Sequence, residues 1–353
     1  MKTLTALLAV AALTIGCGGG NSGPVKPPSE TPQSGNVQIN GAGATFPYPV
    51  YSKWFSEYNK LHQTVQINYQ SIGSGGGIRQ LLERTVFFGA SDQPMSDEML
   101  AKGSGPILHF PSVLGAVVPV YNIEGVTTQL KFTGPILANI FLGKITKWND
   151  PAIAKINPGV SLPSGSITVV HRSDGSGTTF VWADYLAKIS PEWKEKVGAN
   201  SSLNWPVGVG GKGNEGVAGL VTQSPGSLGY VELVYALQNK IGYGAVQNQA
   251  GEFVNPEIKS VTAAAAGAMA TMPKDFRVSI TNSPGQGAYP ISSFTWILLY
   301  ENPENKTHAK VMNDFIKWAL SDGQPMAETL GYAPLPDALV PMELEQLNRI
   351  KVQ

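Results

Sequence analysis

Apolar and polar positions after residue 36 repeat with two periods, one of two residues and one of about 3.6. The two-residue alternation at 37–39 and at 65–69 predicts two strands. Between these strands, apolar residues recur at helical spacing and predict a helix whose buried face is Val50, Trp54, Phe55, Tyr58 and Leu61. A second helical pattern and the strand-like Val86-Phe87-Phe88 follow. This order of strand, loop and helix predicts an α/β fold with helices covering a mainly parallel sheet.

Two continuous apolar runs, 113–122 and 293–302, predict buried strands further along the chain. The segment between them contains its own helical and strand patterns, and the last fifty residues return to helical patterning. We therefore predict that domain I consists of residues 37–117 and 295–353 and that domain II is residues 118–294. Two crossings between the domains would make a hinge, and the cleft between the domains would be the ligand site.

The first residues, MKTLTALLAVAALTIGC, predict export. The apolar run from 4 to 15 is too short to span a bilayer and is typical of a signal peptide. Cys17, the only cysteine, follows a small residue and resembles the lipidation site of bacterial lipoproteins, although Thr14 stands where that motif usually has Leu. We predict a lipoprotein signal peptide at 1–16, lipidation at Cys17 and a flexible tether at 17–36; the alternative is ordinary cleavage and a free thiol.

The composition restricts the possible partners. Of the 353 residues, 42% are apolar and 14% are charged, so the chain can bury a core. The 25 basic and 25 acidic residues balance, and no basic run occurs, so nucleic acid is not expected as a partner. A bound anion would have to be held by local dipoles and one or two cations.

Four loops follow predicted strands and are rich in small or hydroxyl residues. They are GAGATFP (41–47), SIGSGGG (71–77), GASDQP (89–94) and HRSDGSGTTF (171–180). Helix N-termini offer unpaired N–H groups, glycines let an oxyanion approach them, and hydroxyls add donors. Any one loop could be an ordinary turn or helix cap, but together they indicate an oxyanion site whose hydroxyl donors are Thr45, Ser74, Ser176 and Thr178.

Charged residues in these loops refine the hypothesis. Arg172 is the obvious cation, and Asp174 could orient its guanidinium, although a surface salt bridge is the alternative. A carboxylate such as Asp92 repels an anion unless the anion carries a proton, as hydrogen phosphate does and sulfate does not. Asp92 could instead cap the segment SDEML (96–100).

Enzymatic and nucleotide-binding alternatives find little support. GVGGKG (208–213) fits a dinucleotide motif, but the strand before it is poor. No G-x-S-x-G elbow occurs, and no cluster has metal-ligand spacing. His171 should point to the opposite face of its strand from Arg172, and this disfavours a catalytic pair of His171 and Ser176.

The segments GAGATFPYPVYSKW, IGSGGGI, FGASDQPMSDE, LGKITKWND, HRSDGSGTTFVW, GGKGNEGV and GYVE together resemble the phosphate-binding protein of the bacterial ABC phosphate transporter. The resemblance implies a two-domain periplasmic binding protein of type II, in which each domain is a mixed, mainly parallel sheet flanked by helices, with a hinge of two crossing strands. It also implies that phosphate contacts fall on Thr45, Phe46, Ser74, Asp92, Arg172, Ser176, Gly177 and Thr178, with Asp174 orienting Arg172. His171 and Gly75 depart from the usual residues without removing a contact.

The function implied by the resemblance is high-affinity binding of inorganic phosphate and its delivery to an ABC permease with its ATPase. We expect a monomer without cofactor, metal or catalytic activity, on the periplasmic or cell-surface side of a bacterial membrane and held there by lipid. A receptor for another tetrahedral oxyanion and an exported phosphatase are the alternatives.

Overall fold

The structure is a computed structural model that describes residues 36–353. The predicted signal peptide, Cys17 and all but the last residue of the predicted tether lie outside the described residues. Among residues 36–353, no helix combines the length and the apolar character needed to cross a bilayer.

Residues 36–353 contain twelve strands, which form two sheets. The strands are β1 (Val37–Gly43), β2 (Val65–Ser71), β3 (Phe88–Ser91), β4 (Ile107–Asn122), β5 (Lys131–Phe132), β6 (Thr168–Arg172), β7 (Val209–Gly211), β8 (Ser227–Glu232), β9 (Gly242–Tyr243), β10 (Ala245–Gln247), β11 (Phe253–Val254) and β12 (Ser292–Tyr300). The nine-stranded sheet has the order β2-β1-β3-β12-β4-β8-β6-β7, with β9 also paired to β4, and the small sheet has the order β11-β10-β5.

In the part of the chain that the structure describes, thirteen α-helices and one π-helix connect or flank these strands. They are α1 (Tyr48–Leu61), α2 (Ser74–Leu82), α3 (Asp97–Leu100), α4 (Gly134–Phe141), α5 (Pro151–Ile156), α6 (Gly177–Ile189), α7 (Pro191–Lys196), α8 (Gly213–Gln223), α9 (Leu233–Gln238), α10 (Ile258–Met269), α11 (Lys306–Trp318), a π-helix (Ala319–Gly323), α12 (Gln324–Leu330) and α13 (Leu339–Leu347).

The long strand β4 joins two sets of strands. Residues 107–116 of β4 pair antiparallel with β12, and residues 117–122 pair antiparallel with β8. On the first side, β1 pairs parallel with both β2 and β3; on the second side, β6 pairs parallel with β7 and β8. The predicted α/β fold with mixed sheets flanked by helices is confirmed. The predicted domain boundaries fall inside β4 and β12 and stay a prediction.

The periodicity of apolar residues predicts the position of α1 well, but the buried face that it predicts for this helix is too long. In α1, residues Val50, Tyr51, Trp54, Phe55 and Tyr58 are buried, as the 3.6-residue spacing predicts for most of them. The prediction that the last residue of this face, Leu61, packs inward is wrong, since its exposed fraction is 64%. The helix ends at that residue, so its side chain lies beyond the last turn that faces the sheet.

The parallel pairing brings the predicted loops to the carboxyl ends of their strands. β1 leads into α1, β2 into α2 and β6 into α6, while β3 ends directly before Asp92. Carboxyl ends of parallel strands meet at one edge of a sheet, where the following helices also begin. This rule places the starts of α1 and α2 beside Asp92. β6 lies on the other side of β4 and runs in the opposite direction, so its carboxyl end and the start of α6 face these loops, and the Gly177 N–H reaches Ser74 Oγ at 3.0 Å.

Candidate functional site

Ser74 joins three of the four predicted loops. It is the first residue of α2 and is fully buried. Its hydroxyl oxygen accepts the backbone N–H of Asp92 at 3.2 Å and the backbone N–H of Gly177 at 3.0 Å. Gly177 is the first residue of α6, so one hydroxyl connects the ends of β2, β3 and β6.

Thr45 connects the remaining loop to the other three. The side-chain amide of Asn214 donates to Thr45 Oγ1 at 2.9 Å and to Thr178 Oγ1 at 3.2 Å. All three side chains are buried, and Asn214 is the second residue of α8. The Tyr235 hydroxyl also donates to the Thr45 carbonyl at 2.6 Å, which fixes the backbone of this loop.

Arg172 is held by Asp174 in a two-point ion pair. Nε donates to Asp174 Oδ1 at 2.8 Å, and Nη2 donates to Oδ2 at 2.6 Å. Nη1 is buried and has no hydrogen-bond partner among residues 36–353. Burial alone would raise the pKa of the Asp174 carboxyl, but the hydrogen bonds and charge of Arg172, together with the Gly213 N–H, hold that pKa below its usual value. The predicted orienting contact is present, and the surface salt bridge is not the correct alternative, because the Arg172 side chain is 1% exposed.

Asp92 has one bonded and one unbonded carboxyl oxygen. Thr295 donates its hydroxyl to Oδ1 at 2.8 Å, while Oδ2 is buried without a partner in the described part of the chain. Burial raises the pKa of Asp92 to about 7, against the opposing effects of the Thr295 hydrogen bond and the Arg172 charge. Asp92 does not cap the segment 96–100, since Ser96 caps α3 by accepting the Met99 N–H.

Phe46 and Ser176 complete the predicted set. Both are fully buried. The Phe46 carbonyl accepts the Tyr332 hydroxyl at 2.6 Å, and Ser176 caps α6 by accepting the Thr179 N–H at 3.0 Å. The eight predicted contact residues are thus buried and lie on four loops that share hydrogen bonds.

Comparison with known proteins decides the family. The sequence profile of the PBP superfamily domain matches residues 27–323. A phosphate-binding protein PstS of Xylella fastidiosa is 51% identical over 315 residues, which cover 89% of this chain and 85% of that protein. This chain belongs to the PstS family of phosphate-binding proteins. A PstS of Methanocaldococcus jannaschii is 40% identical over 360 residues, covering 95% of this chain and 91% of that protein.

A solved structure supports the fold of this PstS family member. The phosphate-binding protein from Stenotrophomonas maltophilia superposes with a TM-score of 0.68 at 19% identity, covering 88% of this chain and 93% of that one. At that identity, the likeness bears on the fold alone. It agrees with the α/β architecture expected from the sequence.

His171 and Ser176, the residues considered for a catalytic pair, each make other contacts. The His171 ring stacks on Trp205 at 4.6 Å between ring centroids, and its Nδ1 contacts the Arg172 carbonyl at 3.0 Å. Ser176 Oγ is engaged as a helix cap instead of facing a base. Within residues 36–353, no group of three or more His, Cys, Asp or Glu side chains could share a metal ion.

Sequence reasoning missed two residues that complete the site. Asn214 lies just after the GVGGKG turn, in the segment GGKGNEGV; neither the dinucleotide motif nor the family resemblance assigned it a contact. Thr295 lies in the apolar run of β12, where it is fully buried. A polar residue inside an otherwise apolar strand must find a partner, and that signal could have identified Thr295. Asn214 had no comparable signal, because its contacts reach residues up to 169 positions away.

Proposed function

We propose that this chain binds one inorganic phosphate ion between the four loops and delivers it to an ABC transporter. The observation that carries this proposal is the pair of buried, unbonded polar atoms, Arg172 Nη1 and Asp92 Oδ2. One is a cationic donor and the other is an acceptor, and the Arg172 charge acts on the Asp92 carboxyl. Buried polar groups in proteins nearly always have a hydrogen-bond partner. We therefore expect a ligand that accepts a hydrogen bond from Arg172 Nη1 and donates one to Asp92 Oδ2.

Hydrogen phosphate meets both requirements. Its oxygens accept from the guanidinium, the hydroxyls and the helix N-termini, and its own proton can be donated to the Asp92 carboxylate. Sulfate is fully ionised and has no proton to donate, so it would leave the carboxylate facing an anion. This contrast favours phosphate over tetrahedral oxyanions that carry no proton, such as sulfate.

The setting of this function follows the family. PstS relatives are named as phosphate-binding proteins, and a permease with its ATPase would receive the ligand. We propose domain I as residues 37–117 and 295–353, domain II as residues 118–294, and opening about β4 and β12 as the route by which ligand enters. The chain would act as a monomer outside the cytoplasmic membrane, anchored through a lipid on Cys17, and would make or break no covalent bond.

Titration calorimetry with phosphate and sulfate tests the proposal. The wild-type chain should bind phosphate, and Arg172→Ala should weaken that binding by about 2–5 kcal/mol, because the anion loses its buried cation. Arg277→Ala is the matched control, since Arg277 also forms an ion pair with a neighbouring aspartate, Asp275, but lies near the surface. Phosphate affinity that is unchanged in Arg172→Ala, or absent from the wild type, would contradict the proposed function.

A further inference from the structure

The hydroxyl of Thr45 has both of its acceptor positions filled. Thr45 Oγ1 accepts the backbone N–H of Asn214 at 3.2 Å as well as the side-chain amide at 2.9 Å. A hydroxyl oxygen has two lone pairs and one hydrogen, so Thr45 can form a further hydrogen bond only as a donor. Ser74 is in the same condition, with its two acceptor positions filled by the N–H groups of Asp92 and Gly177.

The orientation of the Asn214 amide follows from its surroundings. The backbone N–H of Glu232 lies 3.3 Å from Asn214 Oδ1, and an N–H can only donate. The oxygen of the amide must therefore face Glu232, which directs the NH2 group to Thr45 and Thr178. Asn214 is fully buried, so water does not compete for these contacts.

We propose that Asn214 is a positioning residue that sets the hydroxyls of Thr45 and Thr178 as donors to the bound oxyanion. Asn214 fills both acceptor positions of Thr45 Oγ1 and one of Thr178 Oγ1 with N–H groups, and so favours the arrangement in which the hydroxyl hydrogens face the ligand. The inference rests on the proposed function, because it needs an oxyanion between these loops. Asn214 itself need not touch the ligand.

The consequence is a site in which the roles of hydrogen-bond donor and acceptor are fixed before the ligand binds. A free hydroxyl rotates between donor and acceptor arrangements, and it must give up that freedom when an anion binds. Ser74 and Thr45 have already lost the acceptor arrangement, so donors dominate the site. Among the predicted contact residues, Asp92 Oδ2 is the carboxylate acceptor without a partner in the described part of the chain, and it receives the proton of the ligand. Asn214 thereby supports affinity for the oxyanion, whereas Asp92 sets the choice among oxyanions.

The substitution Asn214→Asp replaces a hydrogen-bond donor, the side-chain NH2 group, by a carboxylate acceptor of nearly the same shape. Its carboxylate would accept from both threonine hydroxyls and turn their hydrogens away from the ligand. At pH 8 we expect phosphate binding about 100-fold weaker or worse in calorimetry, with sulfate weakened by a similar factor. A loss of less than tenfold for phosphate would contradict the proposal.

A double-mutant cycle with Asn214→Ala and Thr45→Val separates positioning from a purely structural role. Asn214→Ala should weaken phosphate binding about tenfold in the wild type and about threefold or less beside Thr45→Val, because the hydroxyl through which it acts is gone. Equal losses in the two backgrounds would overturn the inference. This cycle also decides the question if Asn214→Asp fails to fold.

Asn157→Ala is the matched control. Asn157 is a buried asparagine whose amide bonds Lys131 and Ile153, away from the site. Its replacement should lower the melting temperature and leave the phosphate affinity within about twofold. If the wild type itself does not bind phosphate, the proposed function fails; if it binds and the cycle is additive, only the role of Asn214 fails.

Discussion

At the scale of single residues, the site contains two carboxyl groups with opposite pKa shifts. The Asp174 pKa lies below its usual value because the Arg172 guanidinium and the Gly213 N–H outweigh the effect of burial. The Asp92 pKa rises to about 7, because burial outweighs its hydrogen bond and the nearby charge. Asp174 is therefore ionised near neutral pH and holds the Arg172 guanidinium in place. Asp92, in contrast, changes its protonation state in the pH range in which phosphate also gains or loses a proton.

Sulfate binding should report this titration, because sulfate stays a dianion across the range. As the pH falls from 8 to 5.5 through the pKa of Asp92, the carboxyl gains a proton, stops repelling the anion and can donate to it. We expect the sulfate affinity of the wild type to rise at least about tenfold over that interval, measured by calorimetry.

The variant Asp92→Asn supplies the control for that titration. Its amide is neutral at every pH, so the sulfate affinity should no longer depend on pH, and the preference for phosphate over sulfate should fall at least about tenfold at pH 8. A steep pH dependence that persists in Asp92→Asn would assign the effect to another group.

The sequence predicted most of this residue-scale chemistry, because loops that follow strands keep their donors close in sequence. Arg172 and Asp174 are two positions apart, and their predicted contact is present. The contacts of Thr295 and Asn214 cross the fold and depend on which strands become neighbours. No local pattern contains that information.

At the scale of elements, the N-terminus of α6 lies unusually close to the start of α2. A Cβ placed on Gly177 would come within 2.5 Å of Asp92 Oδ2 and would also collide with Ser74 Oγ. Both atoms belong to buried groups that cannot move freely. A glycine at this position is required by the close approach of the two loops, and any side chain would push them apart.

Gly177→Ala should therefore abolish measurable phosphate binding, because separating the loops breaks the Ser74 contact and displaces Asp92. Gly219→Ala is the matched control, since Gly219 lies within α8 and a Cβ there meets nothing within 4 Å. Alanine at that helical position should raise stability by about 0.5–1 kcal/mol without changing affinity. Calorimetry and thermal melting of both variants measure the outcome; normal binding by Gly177→Ala would contradict the geometry.

Apolar periodicity predicted the elements near the site but not how far each extends. β4 begins six residues before the predicted strand at 113, because residues 107–111 also pair with β12, with a shift of register at Ser112. His109, Pro111 and Ser112 interrupt the apolar run there, and pairing with a distant strand overrides the local sequence.

At the scale of the whole molecule, the carboxyl groups of Glu343 and Glu232 are buried without an ion-pair partner among residues 36–353. Both oxygens of Glu343 on α13 are buried and unbonded among the described residues, and burial raises its pKa well above the usual value. The pKa of Glu232 is raised well above its usual value by burial too. Groups of this kind bind protons more tightly in the folded chain than in the unfolded chain.

The ligand-free chain should consequently lose stability as the pH rises. A carboxyl group with a raised pKa stabilises the fold fully below the pKa of the unfolded chain, and this contribution is lost as the pH increases through the folded pKa. Glu343→Gln is neutral throughout, so its free energy of unfolding in urea should fall less between pH 5 and pH 8 than that of the wild type.

Glu57→Gln is the control for this slope, the change in the free energy of unfolding with pH. Glu57 lies on α1 between two lysines, whose hydrogen bonds lower its pKa to about 2, so it is ionised in both folded and unfolded chains above pH 5. Its replacement should leave the slope between pH 5 and pH 8 unchanged. An identical slope in Glu343→Gln and the wild type would show that Glu343 does not titrate as proposed.

The position of β12 in the sheet determines when the nine-stranded sheet can form completely. β12 lies between β3 and β4 in the sheet, although about 170 residues separate it from the end of β4. While the chain is being synthesised from its N-terminus, β3 and β4 each have an unpaired edge on the side that β12 will fill, and exposed edges favour association with other chains. Assembly therefore waits for the last sixty residues, and a chaperone that shields these two edges would be needed most just before residue 292 emerges.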